Sequence, residues 1–211
     1  MKRKRLLILG NSITRHLPLA EVDWHDDWGM AASFRDRDFA HLLVQKVAAA
    51  TGVEPSSMIA NIADYERNHA VDDIQQRFKT FVDFQAEIVV MAIGENVPKL
   101  DTEASQLAFK DSFARVKSLL TADSKPALIV RGCFGDDAVK DNIMCAVAQA
   151  AGGVFVSVAR LAQREENLAR SERTYTHGGV GGHPGDRGMA AIADAIFSAL
   201  VRIHPLTPAG Q

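Results

Sequence analysis

The feature of this sequence that most constrains its fold is a regular alternation of short apolar runs with longer stretches of helical spacing. Five runs are apolar enough to be buried strands, and they cover residues 5–9, 58–62, 88–93, 127–130 and 154–158. Strands that alternate with helices form parallel sheets, because each connection must cross one face of the sheet. The pattern therefore predicts an α/β fold with a mostly parallel, five-stranded sheet covered by helices on both faces.

Four helices are predicted from apolar residues that recur three or four positions apart and so share one face. Their stripes are Phe39, Leu42, Leu43 and Val47; Phe109, Phe113, Val116 and Leu120; Val139, Ile143, Val147 and Ala150; and Met189, Ile192, Ile196, Leu200 and Ile203. A fifth helix, with a weaker pattern, is predicted within residues 72–84. Segments 14–38 and 160–182 are long for loops, which favours a functional role or disorder.

The length and charge of the chain limit its partners and its compartment. The 211 residues suit one domain, predicted as residues 1–203 with a tail at 204–211. A formal net charge of −2 supplies no bulk attraction to nucleic acid or to an anionic membrane. The apolar run at 6–9 is too short for a signal peptide, and Cys133 and Cys145 make no disulfide framework or metal-ligand spacing. We expect a cytoplasmic protein without nucleic-acid or membrane partners; its oligomeric state has no sequence signal.

Polar residues cluster where the predicted strands end. Residues 10–12 (Gly-Asn-Ser) follow the first strand, 61–64 the second and 94–96 (Gly-Glu-Asn) the third, while His183 precedes the last helix. The carboxyl ends of parallel strands meet at one edge of the sheet, where α/β proteins bind ligands. A serine, a histidine and amide donors at one edge are what nucleophilic attack on an acyl group requires. The set predicts a hydrolase with Ser12 as nucleophile and His183 as general base.

Each of these residues also has a purely structural interpretation. Gly10 and Ser12 suit an ordinary strand-to-helix turn, in which the serine caps the helix. Asn96 can hydrogen-bond its own loop, and His183 can simply precede a helix whose first turn holds Asp186. It is the order of these residues and their shared position at strand ends that favour a catalytic site.

Taken in order, the motifs resemble those of the SGNH hydrolase superfamily, the GDSL-type esterases and lipases. The matching blocks are residues 10–14 (Gly-Asn-Ser-Ile-Thr), 28–33 (Trp-Gly-Met-Ala-Ala-Ser), 94–96 (Gly-Glu-Asn) and 183–186 (His-Pro-Gly-Asp). They span nearly the whole chain. This combination of blocks is similar to that of one subgroup of the superfamily. The resemblance implies a flavodoxin-like, three-layer α/β/α fold with a five-stranded parallel sheet. It also implies a serine esterase that requires no metal and no cofactor.

The resemblance assigns roles residue by residue. Ser12 would be the nucleophile and His183 the base. The oxyanion would receive hydrogen bonds from the Ser12 N–H, the Asn96 side-chain amide and a third donor, a backbone N–H. Ala63 takes the place of the glycine that supplies this third donor in the family, and Gly29 is the second candidate.

Three positions depart from the family pattern. Asn11 replaces an aspartate that is not the nucleophile, and Val97 replaces the aspartate after the oxyanion asparagine. The serious departure is Val180, which stands where the family has its triad acid; losing that acid costs other serine hydrolases about 10⁴-fold in kcat. Three explanations remain open. A backbone carbonyl orients His183 in a dyad, the protein has little or no activity, or an acid elsewhere serves, such as Asp64, Glu66 or Glu95.

The resulting hypothesis is a short-chain carboxylesterase or a carbohydrate O-acetylesterase, with a small-molecule ester or an acetylated carbohydrate as substrate. The residues expected to line its pocket are Trp24, Trp28, Arg35 and Arg67. One alternative is a catalytically silent module that binds an ester or a glycan, which Val180 favours. The other is an acyltransferase, which the sequence does not distinguish from a hydrolase because the difference is whether water is excluded.

Two other ligand classes fit the sequence poorly. The turn after the first strand has one glycine and lacks the glycine patterns that cradle phosphate, so no nucleotide site is predicted. The first long loop contains several potential metal ligands: His16, Asp23, His25, Asp26 and Asp27. Their spacing matches no metal-binding template, and we expect a solvated acidic loop there.

Overall fold

The computed structural model describes residues 3–207, so residues 208–211 of the predicted tail at 204–211 lie outside the described residues. The strands are β1 (Arg5–Gly10), β2 (Ser56–Asn61), β3 (Ile88–Ala92), β4 (Ala127–Arg131) and β5 (Val154–Val156). They form one sheet in the order β2-β1-β3-β4-β5, and every pairing is parallel. The five predicted strands are confirmed, with small shifts at their ends.

The helices are α1 (Phe39–Thr51), α2 (Ala63–Asn68), α3 (Ile74–Asp83), α4 (Glu103–Thr121), α5 (Ala138–Ala150), α6 (Ala159–Ala162), α7 (Gly178–Gly181) and α8 (Asp186–Ile203). All five predicted helices are present. The short helices α2, α6 and α7 were not predicted, because so few residues cannot show a helical period. The stripe predicted for α5 was partly wrong: Val139 is 42% exposed, and Met144, Val147 and Ala148 form the buried face.

The sheet separates two hydrophobic cores. Along β1, Leu7 and Leu9 point into the core under α3, α4 and α5, while Leu6 and Ile8 point into the core under α1 and α8. Successive side chains of a strand alternate between its faces, so an apolar run buried on both sides fills both cores. The predicted three-layer α/β/α arrangement is confirmed.

The two long segments contain short 3₁₀ turns at Ala20–Val22, Arg35–Arg37, Glu165–Asn167 and Ala169–Ser171. The segments also contact each other. Arg173 Nη2 and the Tyr175 hydroxyl both donate to the Ala31 carbonyl oxygen, at 2.7 and 3.0 Å. They therefore form an ordered layer of loops beside the carboxyl edge of the sheet. Among residues 3–207, no helix combines the length and apolar character needed to cross a membrane.

Candidate active site

The proposed nucleophile lies in the turn that ends β1. The Asn11 carbonyl accepts the N–H groups of Thr14 and Arg15, at 2.9 and 3.0 Å, so the chain folds back directly after Gly10. A Cβ at Gly10 would lie 2.0 Å from Thr14 Oγ1 and 2.6 Å from the Ala92 carbonyl oxygen. Only glycine fits there without displacing these atoms, and the turn leaves Ser12 facing a cavity at the sheet edge.

Ser12 and His183 come together although 171 positions separate them in the sequence. The Ser12 Oγ to His183 Nε2 distance is 2.8 Å, and His183 Nδ1 lies 2.8 Å from the Gly179 carbonyl oxygen. A carbonyl oxygen only accepts hydrogen bonds, so Nδ1 must carry the ring proton. Nε2 of the neutral ring then has its lone pair directed at the serine hydroxyl, as a general base requires.

The turn α7 places the carbonyl that orients the histidine. The N–H groups of Gly182 and His183 donate to the carbonyls of Gly178 and Val180, both at 3.0 Å, which closes the turn around Gly179. The Val180 side chain is buried in a small cluster with Trp24, Met30, Ala31 and Ala169, and Val180 also lines the cavity. The residue that replaces the family's acid is therefore a core residue.

None of the three alternative acids contacts His183. Asp64 pairs with Arg67 at 2.6 Å, while Glu66 and Glu95 are hydrogen-bonded to Asn11. Burial lowers the pKa of His183, and the hydrogen bond to the Gly179 carbonyl opposes this shift only in part. The imidazole is consequently neutral, and able to accept a proton, at neutral pH.

Two of the candidate oxyanion donors are unoccupied. Within the described residues, the Ser12 N–H donates to no other group. The Asn96 side-chain oxygen accepts from Arg67 Nη1 at 3.3 Å, which leaves the Asn96 NH₂ group free to donate. Both residues line the cavity that contains Ser12 Oγ.

The two candidates for the third donor differ in position. Ala63 lines the cavity, although its N–H donates to Asn61 Oδ1 at 2.9 Å. Gly29 is buried, and its N–H donates to Asp38 Oδ2 at 3.0 Å. The structure therefore brings Ala63, and not Gly29, to the cavity.

A buried network of carboxylates explains the asparagine beside the nucleophile. Asn11 Nδ2 donates to Glu66 Oε1 at 3.0 Å and to Glu95 Oε2 at 2.6 Å. The guanidinium of Arg131 in turn forms an ion pair with Glu95. An aspartate at position 11 would place a third carboxylate between two others, whereas asparagine supplies the two N–H donors that they need. Nothing in the sequence pattern predicted this network, because its members are far apart along the chain.

The cavity has a volume of about 640 Å³, and its lining includes both apolar and polar residues. Apolar lining residues come mainly from the first long segment: Leu17, Leu19, Val22, Met30, Ala60 and Val180. Besides Ser12, Asn96 and His183, the polar lining residues are Arg15, His16, Asn61, Asp64, Arg67, Arg77 and His177. The space is large enough for a small ligand with one apolar and one polar part.

Of the four residues expected to line the pocket, only Arg67 does so. Trp24 and Trp28 pack edge to face with ring centroids 6.0 Å apart, and their indole N–H groups donate to the carbonyls of His16 and Ala32. Arg35 donates to His41 instead. Apolar burial and satisfied N–H groups hold both tryptophans inside the loop layer, so the expectation that they line the pocket was wrong.

Side chains of the acidic loop contact each other at the surface. His25 Nε2 lies 2.8 Å from Asp23 Oδ1, and Arg15 forms an ion pair with Asp27 at 2.6 Å. No group of three or more histidine, cysteine, aspartate or glutamate residues in the described part of the chain is arranged to hold a metal ion.

Comparison with solved structures relates this geometry to known folds. The chain is similar to a lipase/acylhydrolase from Enterococcus faecalis, with a TM-score of 0.61 and 14% identity over 99% of this chain and 100% of that chain. It is also similar to a family two carbohydrate esterase from Cellvibrio japonicus, with a TM-score of 0.54 and 16% identity. That match covers 95% of this chain and 61% of the esterase.

A third similar structure is a carbohydrate esterase whose active site displays divergent catalytic and non-catalytic binding functions. Its TM-score is 0.58, at 10% identity over 98% of this chain and 71% of that chain. No protein-family model and no curated protein sequence matches the chain. These likenesses show that the chain has the SGNH hydrolase fold, as the sequence motifs predicted.

Proposed function

We propose that this protein is a serine ester hydrolase in which Ser12 and His183 act as a dyad and the Gly179 carbonyl takes the place of the triad acid. The observation that carries the proposal is the hydrogen-bonded chain Ser12 Oγ–His183 Nε2, His183 Nδ1–Gly179 O, with both distances at 2.8 Å. A carbonyl fixes the tautomer and the orientation of the imidazole, which is the positional part of what the acid does in a triad.

The mechanism follows from these positions. Ser12 Oγ attacks the ester carbonyl carbon as its proton passes to His183 Nε2. The bond to the alcohol oxygen then breaks, and His183 returns the proton to the leaving alkoxide. Water attacks the acyl-serine with His183 again as base, and the carboxylic acid and the Ser12 hydroxyl are released.

The oxyanion would lie between the Ser12 N–H and the Asn96 NH₂ group, the two unoccupied donors at the cavity. A donor of this kind contributes about 2.7–4 kcal/mol to the lowering of the barrier. We assign the Ala63 N–H as a third donor. During the reaction it would release Asn61 Oδ1 and donate to the oxyanion instead.

For the substrate we propose a short-chain ester or an O-acetyl group on a carbohydrate. The apolar lining residues suit a small acyl group, and the amide, carboxylate and guanidinium groups that also line the cavity suit the hydroxyls of a polar alcohol. The names of two similar structures, both carbohydrate esterases, support the same class of alcohol.

Hydrolysis of p-nitrophenyl acetate, butyrate and octanoate by the purified protein, beside Ser12→Ala and His183→Ala, tests the proposal. We expect turnover of the shorter esters by the wild type and its loss in both variants. Turnover that survives Ser12→Ala would refute the mechanism. Transfer of the acyl group to added alcohols in preference to water would instead identify an acyltransferase.

A second candidate function is a silent module that binds an ester or a glycan without cleaving it. Its supporting observation is Val180, which leaves the imidazole without a charged partner. A serine-directed fluorophosphonate distinguishes the two functions, since labelling at Ser12 requires an activated hydroxyl. Absence of labelling, together with binding of an acetylated sugar, would favour the silent module.

A further inference from the structure

One buried carboxylate, that of Glu66, accepts two backbone N–H groups of the loop that carries Asn96. The same loop is also anchored through Glu95, which accepts from Asn11 and pairs with Arg131. Glu66 Oε2 accepts the backbone N–H groups of Gly94 and Asn96, at 2.9 and 2.8 Å. The other oxygen, Oε1, accepts from Asn11 Nδ2. Glu66 is 0% exposed, so these protein donors, and not solvent, satisfy it.

The same carboxylate links the oxyanion loop to the nucleophile. Asn11 immediately precedes Ser12, and its side-chain oxygen accepts the Ile13 N–H at 3.2 Å. The Glu66 side chain therefore connects the two segments that must keep a fixed separation, the turn after β1 and the loop after β3. Neither connection involves the substrate or the reacting atoms.

From these contacts we propose that Glu66 is a positioning residue, whose ionised carboxylate holds the Asn96 loop against the Ser12 turn and whose protonation loosens that loop and slows turnover. This inference rests on the proposed esterase function. Three N–H donors converge on the two oxygens of Glu66. Protonation of the carboxylate removes the negative charge that strengthens these hydrogen bonds, so their hold on the loop weakens.

The surrounding charges make Glu66, and not Glu95, the group that titrates. Burial would raise the pKa of Glu95, but the charge of the Arg131 guanidinium outweighs it and holds that pKa below its usual range. Burial and then the Glu95 charge raise the pKa of Glu66 to about 7, against the hydrogen bonds that lower it. The other described groups that face Glu66 are Arg131 from β4 and the Tyr65 phenol from α2, while His69 contacts only its backbone carbonyl.

The sign of the pH effect follows directly. Above a pH of about 7 Glu66 is ionised and the Asn96 loop is held; below it the carboxyl is protonated and the loop is loosened. The loss of activity with falling pH should therefore begin before His183 itself is protonated, because burial keeps the pKa of the imidazole below its ordinary 6.5. Asn96 acts on the oxyanion, so the effect belongs to kcat more than to KM.

Kinetics of Glu66→Gln provide the first test, with Asp73→Asn as a matched control. Asp73 also offers a carboxylate to a backbone N–H, that of Gln76 at 3.2 Å, but lies at the start of α3. Glutamine keeps the shape of Glu66 and mimics its protonated form at every pH. We expect kcat to fall by about 10- to 100-fold, as for a small misplacement of a catalytic group, with little change in KM. In a plot of kcat against pH, we also expect the decrease near pH 7 to disappear, which leaves only the decrease due to protonation of His183.

A Glu66→Gln variant with the kcat of the wild type and an unchanged decrease near pH 7 would overturn the inference. An equal fall in kcat in Asp73→Asn would overturn it as well.

A second test does not depend on catalysis. The backbone amide resonances of Gly94 and Asn96 in ¹⁵N-labelled protein should titrate near pH 7 in the wild type and in Ser12→Ala, but not in Glu66→Gln. Amide shifts that stay constant through neutral pH in the wild type would refute the role of Glu66 even if the esterase is active. Titrating amides in a protein without turnover would instead support the Glu66 contacts and refute the proposed function.

Discussion

Each departure from the family motif at a single residue has a local physical reason. Asn11 lies between the carboxylates of Glu66 and Glu95, where a donor is required. Val97 is buried in the core under α3, α4 and α5, and Val180 is buried with Trp24 and Met30. Both positions are buried, so a carboxylate at either valine would lose its hydration.

Asn11→Asp should destabilise the fold by about 3–5 kcal/mol at neutral pH, because it adds a third buried carboxylate and removes two N–H donors. The neighbouring charges would raise the pKa of the new aspartate in the folded state above its unfolded value. The destabilisation is therefore complete at a pH above the pKa that the aspartate has in the folded state. It decreases as the pH falls toward the pKa of the aspartate in the unfolded state. Urea unfolding in mildly alkaline and in acidic buffer measures both effects.

Asn142→Asp is the control for this variant, since Asn142 lies on the exposed side of α5. It should change the free energy of unfolding by less than about 0.5 kcal/mol. Equal effects of the two substitutions would contradict the buried network.

Among the elements, the start of α8 sets the position of the proposed base. Asp186 accepts the N–H and the hydroxyl of Ser33, at 2.7 and 2.5 Å, and Glu172 accepts the N–H groups of Asp186 and Arg187. The first helical turn is thereby tied to both long segments. These contacts join the two motif blocks at 28–33 and 183–186, which gives a structural reason for their joint presence.

Asp186→Asn should cost about 1–3 kcal/mol of stability, because one of the two carboxylate oxygens, which both accept from Ser33, is replaced by an amide donor. Asp194→Asn on the same helix should cost less than about 1 kcal/mol, since its ion pair with Lys46 is 63% exposed at the aspartate and screened by solvent. The difference in Tm between the two variants, with kcat measured in parallel, tests this assignment. Equal losses would mean that Asp186 contributes only its charge.

Across the protein, we expect charge to play little part in the approach of the proposed substrate. The three arginines of the cavity wall are each paired with an aspartate: Arg15 with Asp27, Arg67 with Asp64 and Arg77 with Asp72. The formal net charge is only −2. The cavity thus offers hydrogen bonds without a strong field of either sign.

We therefore expect kcat/KM for a neutral ester and for an anionic ester of similar size to change by less than about twofold between roughly 0.1 and 1 M salt, over which the Debye length falls from about 10 to 3 Å. Initial rates in a salt series measure this. A steep decrease for the anionic ester alone would show that the arginines attract it despite their partners.

Much of this architecture could be predicted, and the part that could not has a common cause. Apolar runs and helical stripes reveal the strands and the long helices, and the polar residues at strand ends point to Ser12, Asn96 and His183. The Asn11–Glu66–Glu95–Arg131 contacts depend on which strand ends become neighbours, which local pattern does not specify. The tryptophans were misplaced for the same reason, since the sequence does not say which way a loop turns its aromatic rings.

The use of a main-chain carbonyl beside the proposed base has a genetic consequence. Every residue type has a carbonyl, so no single side-chain replacement deletes the group that accepts from His183. An alanine scan of residues 177–182 would leave it in place wherever the turn survives, whereas an insertion or deletion of one residue would move it out of reach. The carbonyl that accepts from His183 in the proposed site therefore depends on the length of segment 177–182 and not on the identity of any one amino acid.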